Sequence, residues 1–205
     1  MNIIFAGSTG KTGSIIFKYL KEKGFDIISE INRNSPPLEK VIKENSVIID
    51  FTNKDAAYNH ALLCLKNNCH FICGTTAIEA EKIDYLLKEA KSKNLTFVFN
   101  PNFSTSISPI CKFINEQKVN FPITKISESH HISKKDLPSG TALLLKKFLF
   151  KDTQIDSIRT TYPTLDHTIK LESECEEITI THKVKNKLAY AKGVETTLNK
   201  IINKK

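Results

Sequence analysis

Seven residues near the start of the chain, Gly7-Ser8-Thr9-Gly10-Lys11-Thr12-Gly13, restrict its fold more than any other stretch. They follow a short apolar run, Ile3-Ile4-Phe5-Ala6, which reads as a buried strand. After them Ile15, Ile16, Tyr19 and Leu20 recur at helical spacing, and Gly24 supplies a C-terminal stop. Strand, glycine turn and helix together let a backbone approach a pyrophosphate. Glycine presents no Cβ, and the helix N-terminus offers unpaired N–H groups at the positive end of its dipole. The G-x-x-G-x-x-G spacing is less specific than G-x-G-x-x-G, so position in the first strand–turn–helix unit carries the nucleotide reading. Gly10-Lys11-Thr12 also invites the phosphate loop of an NTPase. That motif needs a glycine at position 5, where this chain has Phe5, and the reading fails.

The rest of the first half alternates strands with helices. Residues 25–31, 47–51, 70–73 and 95–99 read as strands, and residues 55–65 and 78–90 as helices, with Pro36-Pro37 breaking the chain. Such alternation predicts a parallel sheet with helices on both faces. Beyond Asn100 the pattern changes. Residues 121–130, 155–162, 167–172 and 177–184 read as strands of an antiparallel or mixed sheet, with helices over 139–150 and 188–202. The chain therefore reads as two regions that meet near residues 100–104.

Site chemistry in the first region extends to the end of its second strand. An acid there commonly binds the ribose 2′-hydroxyl, but this chain has Ile31-Asn32-Arg33-Asn34, with Glu30 just before the tip. Asn32 beside Arg33, with Lys11 in the glycine loop, suits a 2′-phosphate. A merely exposed loop arginine fits the sequence as well. The net charge of +8 raises nucleic acid as a partner. Many lysines, however, fall on helical stretches such as 18–24 and 86–94, where they form solvated faces, and neither zinc-finger spacing nor an aromatic RNA-binding motif occurs. An anionic substrate and cofactor account for the charge, and no nucleic-acid partner is expected. No apolar run reaches the roughly 20 residues of a membrane span, and the N-terminus does not read as a signal peptide. Five cysteines without a C-x-x-C pair predict reduced thiols and no metal site in a cytoplasmic protein.

The second region carries the densest chemistry. HHISKKDLPSGTAL (130–143) packs two histidines, two lysines, an aspartate and a Pro-Ser-Gly-Thr turn into fourteen residues. Adjacent histidines alone mean little. Cations, a proton carrier and free backbone N–H groups together suit a small molecule bearing carboxylates.

Read in order, GSTGKTG (7–13), VIIDFT (47–52), GTT (74–76), NPNFS (100–104), ESHHISKKDLPSGTA (128–142), DHT (166–168), EITITHKV (177–184) and AYAKGV (189–194) span nearly the whole chain. In this series the chain resembles the dihydrodipicolinate reductase family, which reduces 4-hydroxy-tetrahydrodipicolinate with NADPH or NADH in bacterial diaminopimelate and lysine synthesis. The resemblance implies an α/β fold class: an N-terminal Rossmann-like parallel-sheet domain plus a C-terminal α+β domain with a mixed sheet. Residues 1–102, completed by a C-terminal helix over 188–205, would bind the dinucleotide. Residues 103–187 would bind substrate and join a homotetramer.

Carried over position by position, it makes His130 the catalytic acid, with Lys134 a substrate contact and second proton donor. His131 would contact substrate, and Ser139, Gly140 and Thr141 would hold a carboxylate. Gly7 to Gly13 would bind the pyrophosphate, with Arg33 the candidate for a 2′-phosphate from the strand-end reading above, while Phe51, Thr52, Gly74, Thr75, Thr76, Asn100, Asn102 and Phe103 would line the nicotinamide side.

Several positions depart from the family pattern. Ser157-Ile158-Arg159 is followed by Thr-Thr-Tyr-Pro where a Gly-Gly pair is usual. Cys175-Glu176-Glu177 stands where Gly-Glu is usual, Lys187 stands for an arginine, and a further segment common in relatives does not follow the last helix. Two other readings stay open: a non-catalytic relative that binds nucleotide or dicarboxylate, and another Rossmann oxidoreductase such as an amino-acid dehydrogenase.

Overall fold

The structure, a computed structural model, describes residues 1–162 and 164–203. Pro163 of the altered Thr-Thr-Tyr-Pro stretch and the last two residues assigned to the C-terminal helix lie outside the described residues. Elements run in the order β1 Ile3–Ala6, α1 Gly13–Glu22, β2 Ile27–Ile31, α2 Leu38–Val41, β3 Val47–Asp50, α3 Lys54–Lys66, β4 His70–Cys73, α4 Ala80–Ser92 and β5 Phe97–Phe99. Then come α5 Ile107–Gln117, a 3₁₀ turn Lys118–Asn120, β6 Ile123–His131, α6 Gly140–Lys146, β7 Gln154–Thr160, β8 Leu165–Glu172, β9 Glu177–Lys183 and α7 Leu188–Ile202.

The chain divides into two compact units, Met1–Phe103 with the segment beginning at Lys187, and Ser104–Asn186. In the first, five parallel strands lie in the order β2-β1-β3-β4-β5. Side chains alternate across this sheet. Ile4, Ala6 and Ile48 pack with Ala57, Ala61, Cys64 and Leu65 of α3 and Leu86 of α4. Ile3, Phe5, Val47 and Ile49 pack with Ile16 and Leu20 of α1 and Ala191, Val194 and Leu198 of α7. Covered on both faces, β1 and β3 are buried along their whole length, which is why they read as apolar runs, broken only by Asp50 at the end of β3. Helix α7 is tied to α1 by the Tyr19 hydroxyl, which donates to Glu195 Oε2 at 2.7 Å.

Two residues assigned from sequence to the second region fall in the first unit. Phe103 is buried in the α1/α7 cluster, 5.9 Å from the Phe51 ring centroid, and Lys187 Nζ donates to the Lys11 carbonyl at 3.4 Å. Packing decides both.

The second unit is a four-stranded mixed sheet, β7-β6-β8-β9, with β6 and β7 parallel and the other pairs antiparallel. One face buries Ile126, Ile169 and Leu171 against Ile107, Cys111 and Ile114 of α5 and Ala142 and Leu145 of α6. Helix α5 was not anticipated. Pro109 lies in its first turn, where the missing N–H would be unpaired in any case, so the proline is compatible with a helix. Helix α6 stops at Lys146 rather than at Phe150. Past it, the Phe148 and Leu149 N–H groups bond three residues back, to Leu145 and Lys146, which is 3₁₀ and not α geometry. The altered Cys175-Glu176 stretch closes the β8–β9 hairpin, with the Ser173 N–H donating to the Glu176 carbonyl at 2.9 Å.

Helix α7 comes close to the backbone at Gly193, where a Cβ would overlap the carbonyl oxygen of Phe103. Gly→Ala inside a helix ordinarily gains up to ~1 kcal/mol. Gly193→Ala should reverse that sign and cost at least ~2 kcal/mol, since the obstacle is backbone and cannot rotate away. Urea unfolding of the two proteins checks it.

Candidate active site

The glycine loop leaves the C-terminal end of β1. Gly7 has φ +90°, its N–H donates to the Ile31 carbonyl at 2.9 Å, and a Cβ there would strike the carbonyl of Phe51. Gly13 opens α1 so close to Gly7 that a Cβ would overlap the Gly7 carbonyl. No side chain caps α1 at Thr12, and no acid stands in its first turn. Ser8 Oγ is buried with no hydrogen-bond partner among the described residues. A tight glycine cradle, an uncapped helix start and an orphan hydroxyl fit a dinucleotide pyrophosphate. Lys11 is exposed above this turn. Lys187, bonded to its carbonyl, has an ammonium pKa below the ordinary value because of burial and the nearby Lys11 charge.

Arg33 is exposed in a turn closed by the Asn32 N–H donating to Ser35 Oγ at 2.8 Å. Glu30, just before that turn, lies 3.9 Å from Lys21. The remaining residues expected at the nicotinamide side follow the C-terminal ends of β3, β4 and β5, where ligands of parallel α/β sheets bind. The Phe51 ring lies so close to Gly74 that a Cβ there would overlap it. Asn102 and Phe103 are buried, and the Asn102 N–H donates to Asn100 Oδ1 at 3.0 Å. Asp50 and His60, passed over in the sequence, stand directly behind this edge. Asp50 is fully buried and accepts hydrogen bonds from Thr52, Thr75 and His60.

The second unit assembles the cluster around one buried carboxylate. Strand register places Ser157, Glu128, His167 and His182 in a row across β7, β6, β8 and β9. Glu128 accepts the Ser139 N–H at 3.0 and 3.2 Å and the Ser157 hydroxyl at 2.7 Å, with Arg159 at 3.4 Å. Burial would raise its pKa, but contact with His130 and hydrogen bonds from Ser139 and Ser157 outweigh that and hold it well below the usual carboxylate range. His130 is only 2% exposed, with Nε2 3.3 Å from Glu128 Oε2 and its ring centroid 5.0 Å from that of His167. The Glu128 contact is too poorly aligned to count as a hydrogen bond, and neither ring nitrogen has a hydrogen-bond partner among the described residues.

The flanking residues differ in their freedom. His131 is half-buried, and its Nδ1 accepts the Ser133 N–H at 3.1 Å, which leaves its proton on Nε2. Lys134 donates to both carboxylate oxygens of Asp136 at 2.8 Å. The Leu137–Pro138 peptide is cis. Both polar groups of Ser139 are engaged: the N–H on Glu128, and Oγ on the Ala142 N–H at 3.2 Å and His167 Nε2 at 3.1 Å. Through these contacts Ser139 braces the turn against Glu128 and His167. Gly140 and Thr141 follow it in the first turn of α6.

Glu128, His130 and His167 are also types that ligate metals, their atoms lying within 4.8 Å of one another. The Glu128 oxygens, however, are already met by Ser139, Ser157 and Arg159. Glu128 was within reach of sequence reasoning, since two residues before His130 on a strand means the same face. Ser157, Arg159 and His167 were not, because only pairing register brings them there.

With this geometry in place, comparison with known proteins decides the family. A family model described as "Dihydrodipicolinate reductase, N-terminus" matches residues 1–103, and its C-terminal counterpart matches residues 105–205. The chain belongs to the dihydrodipicolinate reductase family. The 4-hydroxy-tetrahydrodipicolinate reductase of Thermosipho africanus is 32% identical over 203 residues, covering 97% of this chain and 90% of that one. That of Methanococcus aeolicus is 27% identical over 257 residues, covering 100% and 94%. Among solved structures, a dipicolinate-bound dihydrodipicolinate reductase from Paenisporosarcina sp. TG-14 superposes with TM-score 0.74 at 22% identity, covering 98% of this chain and 94% of the other. An aspartate dehydrogenase from Thermotoga maritima, TM-score 0.63 at 13% identity, shares the fold alone. As a dihydrodipicolinate reductase the chain is an NAD(P)H-dependent oxidoreductase of diaminopimelate and lysine synthesis.

Burial pushes the His167 imidazole of this reductase down to about 3 from an ordinary 6.5, with the His130 charge as the next cause. A depressed folded pKa means the unfolded chain takes the proton first. The stability His167 contributes is therefore complete above its unfolded pKa and lost as pH falls toward the folded one. Between pH 6.5 and 5, before most carboxylates titrate, this one histidine should remove about 1.5 kcal/mol. Circular-dichroism melts should fall more steeply with acid over that window for wild type than for His167→Gln. Equal slopes would refute the assignment.

Proposed function

We propose that His130 and Lys134 manage the proton and charge of the reduction while His131, Ser139, Gly140 and Thr141 grip the substrate carboxylates. The observation that carries this reading is the convergence of the histidine–lysine segment and the Ser139 turn on one buried carboxylate, Glu128. The solved reductase from Paenisporosarcina sp. TG-14 holds dipicolinate, a small dicarboxylate, which supports the same ligand class here.

NAD(P)H supplies the hydride when bound. The ring hydroxyl of the substrate leaves as water to give a carbon–carbon double bond conjugated with the imine. Hydride addition to that system puts negative charge on the ring that must be met by a proton. His130 is the proton donor, its ring oriented by Glu128 and His167. Lys134, fixed beside the site by Asp136, stabilises the developing anion. His131 donates from Nε2, and the N–H groups at the start of α6 with the Thr141 hydroxyl hold a carboxylate that is charged before and after the reaction. Gly7, Ser8, Thr9, Gly10, Lys11, Thr12 and Gly13 hold the pyrophosphate, and Arg33 meets a 2′-phosphate, so NADPH is used at least as well as NADH.

Assembly is proposed as a homotetramer joined through the C-terminal sheets, and location as cytoplasmic. No described helix is long and apolar enough to cross a membrane. Light scattering at micromolar concentration that gives the 23.2 kDa mass of one chain would rule the tetramer out.

Steady-state kinetics with dicarboxylate generated by the preceding synthase test the residue roles. His130→Gln and Lys134→Ala should each lose at least ~100-fold in kcat, because both act on charge that appears in the transition state. Thr141→Val should raise substrate KM first. Arg33→Ala should raise KM for NADPH and leave NADH nearly unchanged. Near-wild-type turnover in a folded His130→Gln, Lys134→Ala double variant would end the catalytic assignment, and equal effects on both cofactors would end that of Arg33.

A further inference from the structure

Asp50 ends β3 with a completely buried carboxylate, and four donors converge on it from three segments. The Thr52 N–H donates to Oδ1 at 2.9 Å and the Thr52 hydroxyl to the same oxygen at 2.7 Å. The Thr75 hydroxyl reaches it at 3.1 Å from the loop after β4. His60, on α3 and 14% exposed, closes the other oxygen with Nδ1 2.6 Å from Oδ2. None of these groups is explained by packing alone, since a buried carboxylate without donors costs several kcal/mol.

Hydrogen-bond polarity turns this support into a statement about the ligand. A carboxylate only accepts, so the single proton of each threonine hydroxyl must point at Asp50. The Asn53 carbonyl, 3.4 Å from Thr52 Oγ1, competes poorly with a charged oxygen at 2.7 Å. With that proton committed, each hydroxyl has only lone pairs left for anything that approaches it. Thr52 and Thr75 are half-buried at the C-terminal edge of the sheet, among the residues assigned to the nicotinamide side.

We infer that the Asp50–His60 pair fixes Thr52 and Thr75 as hydrogen-bond acceptors for the primary-amide N–H₂ of the cofactor's nicotinamide, so that Asp50 and His60 are positioning residues for cofactor recognition. This rests on the proposed placement of the nicotinamide at Phe51-Thr52 and Gly74-Thr76. Through Nδ1, His60 holds the carboxylate that orients both hydroxyls. Its effect is on the dinucleotide and not on the dicarboxylate gripped by the second unit.

The test compares binding of NADH with binding of the reduced 3-acetylpyridine analogue, whose methyl ketone keeps the carbonyl but has no N–H₂. Fluorescence titrations in the absence of dicarboxylate would use wild type, His60→Leu, His60→Asn and Thr75→Val. Wild type should bind NADH roughly 3- to 10-fold tighter than the analogue, the size of one or two modest hydrogen bonds. Thr75→Val and His60→Leu should lose NADH affinity and most of that preference, while His60→Asn, whose amide can donate where Nδ1 does, should retain both. Thr75→Val removes one partly buried hydroxyl and reads the same contact should His60→Leu fail to fold. Equal binding of the two dinucleotides by wild type, or an unchanged preference in folded Thr75→Val or His60→Leu, overturns the inference. Failure of wild type to bind either dinucleotide would instead sink the cofactor placement on which it rests.

Discussion

A carboxylate with no access to water organises the second unit. Glu128 sits at the centre of the β7-β6-β8-β9 sheet, and its charge must be answered by protein donors because none can come from solvent. The answer reaches across the unit: the Ser139 N–H from the turn before α6, the Ser157 hydroxyl and Arg159 from β7, with the His130 and His167 rings alongside. Together they tie the turn before α6 and strands β7, β6 and β8 to one point. Arg159 also donates to the Asp136 carbonyl at 2.5 Å, carrying the restraint into the loop that bears Lys134. Removing one partner from such a group typically costs ~3–5 kcal/mol, since it leaves a buried charge uncompensated. The geometry of the histidine–lysine segment is thereby fixed by electrostatics more than by apolar packing.

The first unit uses the same device on a smaller scale. Asp50 gathers Thr52, Thr75 and His60 at the edge of the parallel sheet, as Glu128 gathers the strands of the mixed one. In both units the group that touches nothing outside the protein sets the direction of groups that can. The glycine loop works by the opposite principle, through the absence of side chains at Gly7 and Gly13. Buried carboxylates that fix polar groups and glycines that clear the backbone are complementary ways of preparing a protein for a polar ligand.

Much of this was legible before any coordinates. The parallel sheet could be read because β1, β3 and β4 are short apolar runs separated by helical periodicity, and doubly covered strands have no polar face to blur the pattern. Helix α5 went unread, and it accommodates Pro109 because that residue stands in its first turn. The end of α6 was misplaced because the apolar spacing continues to Phe150 while the backbone past Lys146 tightens into 3₁₀ bonding.

What the sequence determined by itself was chemistry that is contiguous along the chain. The glycine loop between β1 and α1, and the run from His130 to Thr141, are local in sequence, so residue types and spacing were enough to indicate a dinucleotide and a dicarboxylate. What only the tertiary structure decided was which of those groups are free to act. Ser139 looks like a ligand donor in the sequence and is braced by Glu128 and His167 in the fold. His130 looks like one of a surface pair and is buried between strands. The reason is that a side chain's availability depends on neighbours far away in the chain, 28 residues for Ser139–His167 and 31 for Glu128–Arg159, and only strand register and the seating of the turn before α6 decide who those neighbours are.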